Sequence, residues 1–308
     1  MTELKTAVDD YLTIRRSLGF KMERNGRLLP QFVAFVELAG SDTITIELAL
    51  AWAKQPPEGH PRWWAERMSL VRGFAKHLQA LDPRTEVPPR DLLPGCKRRA
   101  TPYLYSDTDI VGLMEAARAV RVPLRASTYE TLIGLLAVTG MRVGEAIRLN
   151  RDDLDSANGL LTLRDTKFGK SREVALHPST LEALDTYARL RDQLCPLPKT
   201  TALFVTAIGT RLVYKNVHPV FQRLVRRAGL QRHSPSCRPR PHDLRHTFAV
   251  RTLLDWYRSG VEVEGRLPLL STYLGHFDPA STYWYLSAAP ELLALASERL
   301  EHSLGELP

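Results

Sequence analysis

The densest chemistry in this sequence lies in the run Arg238-Pro239-Arg240-Pro241-His242-Asp243-Leu244-Arg245-His246, directly before the apolar stretch Phe248 to Leu254. On a helix, His242, Arg245 and His246 fall at i, i+3 and i+4 and share one face. Imidazoles and a guanidinium converging on one face suit an anion, and a phosphate best of all. A basic, solvated helix start is the plain alternative. Four further groups could join such a site: Arg142, with Glu145 three residues on to hold its guanidinium; Lys167, near a hairpin tip; His276, in Leu274-Gly275-His276; and a tyrosine, Tyr283 or Tyr285. Two arginines and two histidines around a phosphate neutralise the charge that builds on its oxygens during displacement. A tyrosine can attack as nucleophile, and a lysine can protonate the leaving oxygen. No acidic cluster suited to Mg²⁺ and no glycine-rich phosphate loop is evident, so nucleotide hydrolysis is unsupported and no cofactor is expected.

The elements that must hold these groups are mostly helical. Residues 1–81 read as four helices: one around Leu4, Val8, Tyr11 and Leu12, one along Leu28, Leu29, Phe32, Phe35 and Val36, one capped by Ser41-Asp42, and one from Pro61 to Leu81. On the last, Arg62, Arg67, Arg72 and Lys76 read mostly as a solvated face. From Asp82 to Thr101 prolines without apolar periodicity, closing on Lys97-Arg98-Arg99, predict an extended linker and a domain boundary. Ser106 then caps a helix through Ile110, Leu113 and Met114. Tyr129 to Val138 forms an apolar helix stopped at Thr139-Gly140, and Met141 to Ile147 starts another. Leu160–Arg164 and Arg172–Leu176 predict a β-hairpin with Lys167 and Lys170 near its tip. Helices are expected at 178–194 and 214–229, and a final amphipathic one from Pro290 through Leu293, Leu300 and Leu304. The fold class expected is mainly α in two domains: an N-terminal helical domain over 1–81, a linker over 82–101, and a mixed α+β domain with a small antiparallel hairpin over 102–308.

The chain as a whole sets the kind of partner. Lys and Arg number 42 against 34 Asp and Glu, leaving +8, a balance that favours a polyanion, nucleic acid first. Between residues 223 and 245 seven arginines (Arg223, Arg226, Arg227, Arg232, Arg238, Arg240 and Arg245) face one acid, Asp243. Cys96, Cys195 and Cys237 are far apart and in no metal-type spacing, so neither disulfide nor cysteine zinc site is expected. The start lacks a secretory layout and no run reaches membrane-spanning length, so the expected address is the cytoplasm, with the nucleoid, and no membrane partner.

Taken together, Thr139-Gly140-Met141-Arg142-Val143-Gly144-Glu145, the Thr166–Arg172 hairpin, His242-Asp243-Leu244-Arg245-His246, and Leu274-Gly275-His276 followed by Tyr285 resemble the catalytic domain of the tyrosine recombinase (phage integrase-like) family, motif by motif and in order. Residues 1–81 resemble its core-binding domain in length, helicity and position. The resemblance implies that Arg142 and Arg245 bind the scissile phosphate and His276 a non-bridging oxygen. It makes His242 an aid to proton transfer at the nucleophile, and Lys167 the acid for the leaving 5′-hydroxyl. Tyr285, nine residues after His276, becomes the nucleophile that forms a 3′-phosphotyrosine; Tyr283 becomes packing, Glu145 the support of Arg142, and His246 a neighbour of the site. It further implies double-stranded DNA as partner, a homo- or hetero-tetramer on two DNA sites, possible companion recombinases, and service to a mobile element, without metal or ATP. With no arm-binding domain visible before residue 1, a simple recombinase or transposon enzyme is favoured over a long-armed integrase. A DNA-binding accessory protein without catalysis and a type IB topoisomerase-like relaxing enzyme are the alternatives.

Overall fold

The computed structural model describes residues 3–55, 57–93, 101–164, 171–276, 278, 280–288, 291–295 and 297. The chain divides into two compact units, Met1–Arg99 and Ala100–Pro308.

The first unit is built from α1 (Glu3–Ser17), α2 (Glu23–Leu38), α3 (Ile46–Ala53) and α4 (Pro61–Leu78). Leu4, Val8, Leu29, Phe32, Val36, Trp52, Met68 and Phe74 close its core. α3 is capped by Thr45, whose Oγ1 accepts from Leu48 N at 3.2 Å, and not by the expected Ser41-Asp42. α4 stops at Leu78, short of Leu81. Two of its arginines are structural, against the expectation of a solvated face. Arg67 is buried with its guanidinium 3.6 Å from the Trp52 ring, an attraction strengthened by the loss of water. Arg72 donates to the carbonyls of Pro88 and Pro89 at 2.7 and 2.6 Å. Those bonds, with burial of Leu93, hold the proline-rich segment onto this unit through residue 93.

The second unit opens with α5 (Asp107–Arg118), where Ser106 and Asp109 form the reciprocal capping box expected from Ser106. α6 (Pro123–Thr139) begins six residues before Tyr129, because Pro123 supplies a helix start that the apolar run alone does not reveal. It is apolar on most sides since α5, α8 (Pro178–Leu194) and α10 (Asp243–Arg258) all pack on it. After the single turn α7 (Val143–Ala146), the sheet runs β1 (Leu154–Asp155), β2 (Leu160–Leu163) and β3 (Arg172–Ala175). It is antiparallel in the order β1-β2-β3, with Leu163 opposite Arg172. The two paired strands β2 and β3 are as expected; two-residue β1 is an addition too short for period-2 alternation to signal. α9 (Tyr214–Arg227) follows α8, and α11 (Leu267–Leu274) and α12 (Ala280–Ala288) close the unit. Residues 291–295 are helical, with Leu292 buried and Leu293 exposed, so the apolar face there is set by Leu292. Pro290, Leu300 and Leu304 lie outside the described residues, as does Cys96. Cys195 and Cys237 are free thiols. Among the described residues no helix is long and apolar enough to cross a membrane.

Candidate active site

Two helix ends make the site. α6 ends at Gly140 and α11 at Gly275, both in the left-handed conformation (φ +59° and +66°) that glycine adopts without strain. A side chain at either place would force a neighbour to shift. A Cβ on Gly140 would lie 2.9 Å from Cγ of Phe248, and one on Gly275 2.5 Å from Nη1 of Arg172. Their freed carbonyls point at the two arginines. Arg245 donates to Gly140 O at 2.9 Å and Leu274 O at 2.7 Å; Arg142 donates to Gly275 O at 3.1 Å.

Arg142 is the residue before α7, and its backbone N–H donates to Glu145 Oε2 at 2.9 Å. Its Nη1 meets Glu145 Oε1 at 2.7 Å, as the three-residue spacing implied. The carboxylate is shared: Arg172, on β3, donates to Oε2 at 2.9 Å and to Oε1 at 3.3 Å. Burial alone would raise the Glu145 pKa, but the hydrogen bonds from Arg172 and Arg142 outweigh it and hold the carboxyl below its ordinary range. Two guanidiniums therefore share one carboxylate.

Arg245 is held differently. It is 1% exposed, partnered by carbonyls and by the hydroxyl of Tyr285, and among the described residues no carboxylate forms an ion pair with it. Burial, then the neighbouring Arg142, pull its pKa down to about 10, so it stays charged at pH 7. Its helix, α10, begins at Asp243. A tight turn from Arg240 carries the chain in, His242 occupies the N-cap position, and Pro241 precedes it. His242 and His246 do share a face, with ring centroids 4.8 Å apart.

The remaining candidates come from α11 and α12. His276 follows the Gly275 turn, and its ring stacks on Tyr285 at 6.0 Å. Tyr285 is 2% exposed and also touches His246 and Trp284. Tyr283 points away and is 52% exposed. Desolvation first, then Arg245 and Arg142, push the pKa of His242 down to about 4 and that of His276 to about 3. The outer edge of His242 is open to water, which screens part of this effect; the direction leaves both rings neutral at pH 7.

Arg142, His242, Arg245, His276 and Tyr285 are thus brought together. Lys167 and Lys170 lie outside the described residues. Of the arginine run, Arg223, Arg226, Arg227, Arg232 and Arg238 are exposed, whereas Arg245 is buried away from them. Two participants were not singled out in the sequence. Arg172 reads as an ordinary strand residue, and only its pairing opposite Leu163 carries it to Glu145. Thr282 Oγ1 lies 2.7 Å from His276 Nδ1, a contact made by the turn between α11 and α12 and signalled by nothing local.

The sequence pattern of the phage integrase family matches residues 105–291, which span every one of these groups. The chain belongs to the phage integrase family. Its similarity to y4rB of Sinorhizobium fredii, which carries the name integrase/recombinase, is 46% identity over 307 residues, covering 98% of each chain. It is 31% identical to the tyrosine recombinase XerD of Mycobacterium tuberculosis over 72% of this chain and 68% of that one. Among solved structures, the Tn1549 transposon integrase in complex with transposon right end DNA shares the fold at a TM-score of 0.66 and 18% identity, over 98% of this chain and 100% of that one. The phage integrase family member described here is therefore a tyrosine recombinase, a DNA strand transferase, and its two-unit, mainly helical architecture with a small antiparallel sheet is that of its relatives.

Proposed function

We propose that this recombinase breaks and rejoins double-stranded DNA at specific sites through a covalent 3′-phosphotyrosine on Tyr285, in the service of a mobile element. One observation carries the reading: the Tyr285 hydroxyl is bound to the guanidinium of Arg245, between the imidazoles of His246 and His276, in buried surroundings with more positive than negative charge. The phosphodiester anion supplies the missing negative charge. Arg142 and Arg245 hold its oxygens, and the charge that grows on them in the transition state falls on donors already in place.

Tyr285 Oη then attacks phosphorus while the bond to the 5′-oxygen breaks. The tyrosine proton passes to neutral His242, which can accept it at pH 7, and His276 donates to a non-bridging oxygen. Lys167 delivers a proton to the leaving 5′-oxygen. One diester replaces another, so the bond energy is kept and a second 5′-hydroxyl reverses the step on a new strand without ATP. In this reading the helical unit over 1–81 and the basic end of the 82–101 segment grip the duplex, and protomers act as a tetramer on two sites. The likeness to y4rB supports recombination, and the fold shared with a transposon integrase supports the mobile-element setting.

The test is recovery of covalent DNA–protein adducts from cells producing the chain, followed by mass spectrometry of the nucleotidyl peptide. The expected product carries nucleotide on Tyr285; Tyr285→Phe abolishes adducts while DNA binding persists, and Tyr283→Phe leaves them. Adducts on Tyr283 would sink the assignment.

A further inference from the structure

α12 carries Tyr285 and, three residues earlier, Thr282 on the same face. Thr282 is 1% exposed, and its Oγ1 sits 2.7 Å from Nδ1 of His276. Four other helical threonines turn their hydroxyls onto the carbonyl four residues back. Thr128 does so at 2.6 Å, Thr139 at 2.6 Å, Thr247 at 2.9 Å and Thr252 at 2.9 Å. Thr282 does not. Among the described residues its Oγ1 has His276 as its one partner.

A hydroxyl has one proton to give, and a neutral imidazole has one nitrogen that donates and one that accepts. Two assignments are open. If His276 Nδ1–H donated to Thr282, the threonine proton would be buried without an acceptor, at the cost of an unmade hydrogen bond. If Thr282 donates to Nδ1, every group is satisfied and the imidazole proton sits on Nε2. The second arrangement leaves the far nitrogen as a donor. The first would turn a lone pair towards whatever the site binds, which repels an oxyanion.

We propose that Thr282 is a positioning residue that fixes His276 as the Nε2–H tautomer and so presents an N–H to the non-bridging oxygen of the bound phosphate. The inference rests on the reading of the cluster as a phosphoryl-transfer site, and it adds the group that sets the polarity of His276. Tautomer matters here because the ring is neutral; a charged imidazolium would donate from both nitrogens regardless of Thr282. It also ties the phosphate contact to the nucleophile, since one helix carries both Thr282 and Tyr285.

The experiment is nitrogen-15 spectroscopy of histidine-labelled protein near neutral pH, set beside adduct-formation rates on the duplex recovered from the covalent complexes. In the wild-type chain the His276 Nδ1 signal is expected at the unprotonated, hydrogen-bonded position and Nε2 at the protonated one. Thr282→Val, which keeps the shape and removes the hydroxyl, is expected to mix the tautomers and slow adduct formation about 10- to 100-fold, the range for losing an outer partner of a working histidine. Thr282→Ser restores both. A protonated Nδ1 in the wild-type protein overturns the proposal even if every variant misfolds. So does a Thr282→Val chain that reacts at the wild-type rate, or a Thr282→Ser chain as slow as the valine variant. Failure to trap adducts on Tyr285 would instead remove the catalytic reading while leaving the tautomer measurement standing.

Discussion

The two arginines of the site are seated in opposite ways. Arg142 keeps 29% of its side chain exposed and is tied to a carboxylate, which also answers Arg172. Arg245 is 1% exposed and is tied to two carbonyls and a phenol. A guanidinium held by a carboxylate is positioned and largely neutralised. One held by carbonyls is positioned with its charge intact, in surroundings where an unpaired charge is expensive. The pKa of Arg245, drawn down by burial yet still about 10, is the mark of that arrangement. The Arg245 seat therefore waits for an anion, and the Arg142 seat steers one in.

Substitution of the arginines gives the largest expected effect. Alanine at either position should slow adduct formation about 10²- to 10³-fold, the usual result of removing one preorganised donor from a developing oxyanion. Lysine separates the seats. At position 142 an ammonium still reaches Glu145 and still brings charge, so Arg142→Lys should recover much of what alanine loses. At position 245 no ammonium can span Gly140 O, Leu274 O and the Tyr285 hydroxyl as the planar fork does, so Arg245→Lys should recover little. Single-turnover rates for the four variants decide it. Equal recovery by lysine at both positions would break the distinction.

The glycines behind the seats sharpen it next. Gly140→Ala sets a methyl against the Phe248 ring and adds left-handed strain. A loss of about 2–5 kcal/mol in urea unfolding follows from about 1–2 for the backbone and about 1–3 for overpacking. Gly275→Ala meets only the end of Arg172, a side chain that can swing, so about 1–2 kcal/mol is expected. Adding Phe248→Leu to Gly140→Ala should return part of the loss. No recovery would mean that backbone strain alone is responsible.

Much of both seats is legible in the sequence, and what is not follows a physical pattern. Arg142 with Glu145, and His242 with Arg245, lie within one helical turn of each other, where spacing fixes which side chains meet. The Ser106 cap and the hairpin strands are legible for the same local reason. Arg172 and Thr282 are not, because each reaches the site through a turn or a strand pairing that brings distant residues together. For Arg67 and Arg72 charge suggests water, but Arg67 finds the Trp52 ring and Arg72 the carbonyls of Pro88 and Pro89. Tyr285 over Tyr283 could be picked only through the family resemblance; the burial of one and exposure of the other come from the packing of α12.

The smallest expected effect concerns the histidines, one for each seat: His242 lies on the helix of Arg245, and His276 follows the glycine whose carbonyl holds Arg142. Both folded-state pKa values are depressed, to about 4 and about 3, from about 6.5 in an unfolded chain. Below pH 6.5 the unfolded chain therefore takes up protons that the folded chain refuses, and each histidine withdraws stability as the pH falls towards its folded value. Asp243 acts in the opposite direction. Burial raises its pKa to about 6, so the folded chain protonates first there, and the wild-type pH profile alone blends the two trends. A difference measurement isolates them: the melting temperature of His276→Gln minus that of the wild type should grow between pH 7 and pH 4.5. The same difference for His242→Gln should grow less, because water at the outer edge of His242 screens its neighbours. If the two differences rise in parallel, the histidines feel the same field and the two seats are one electrostatic environment.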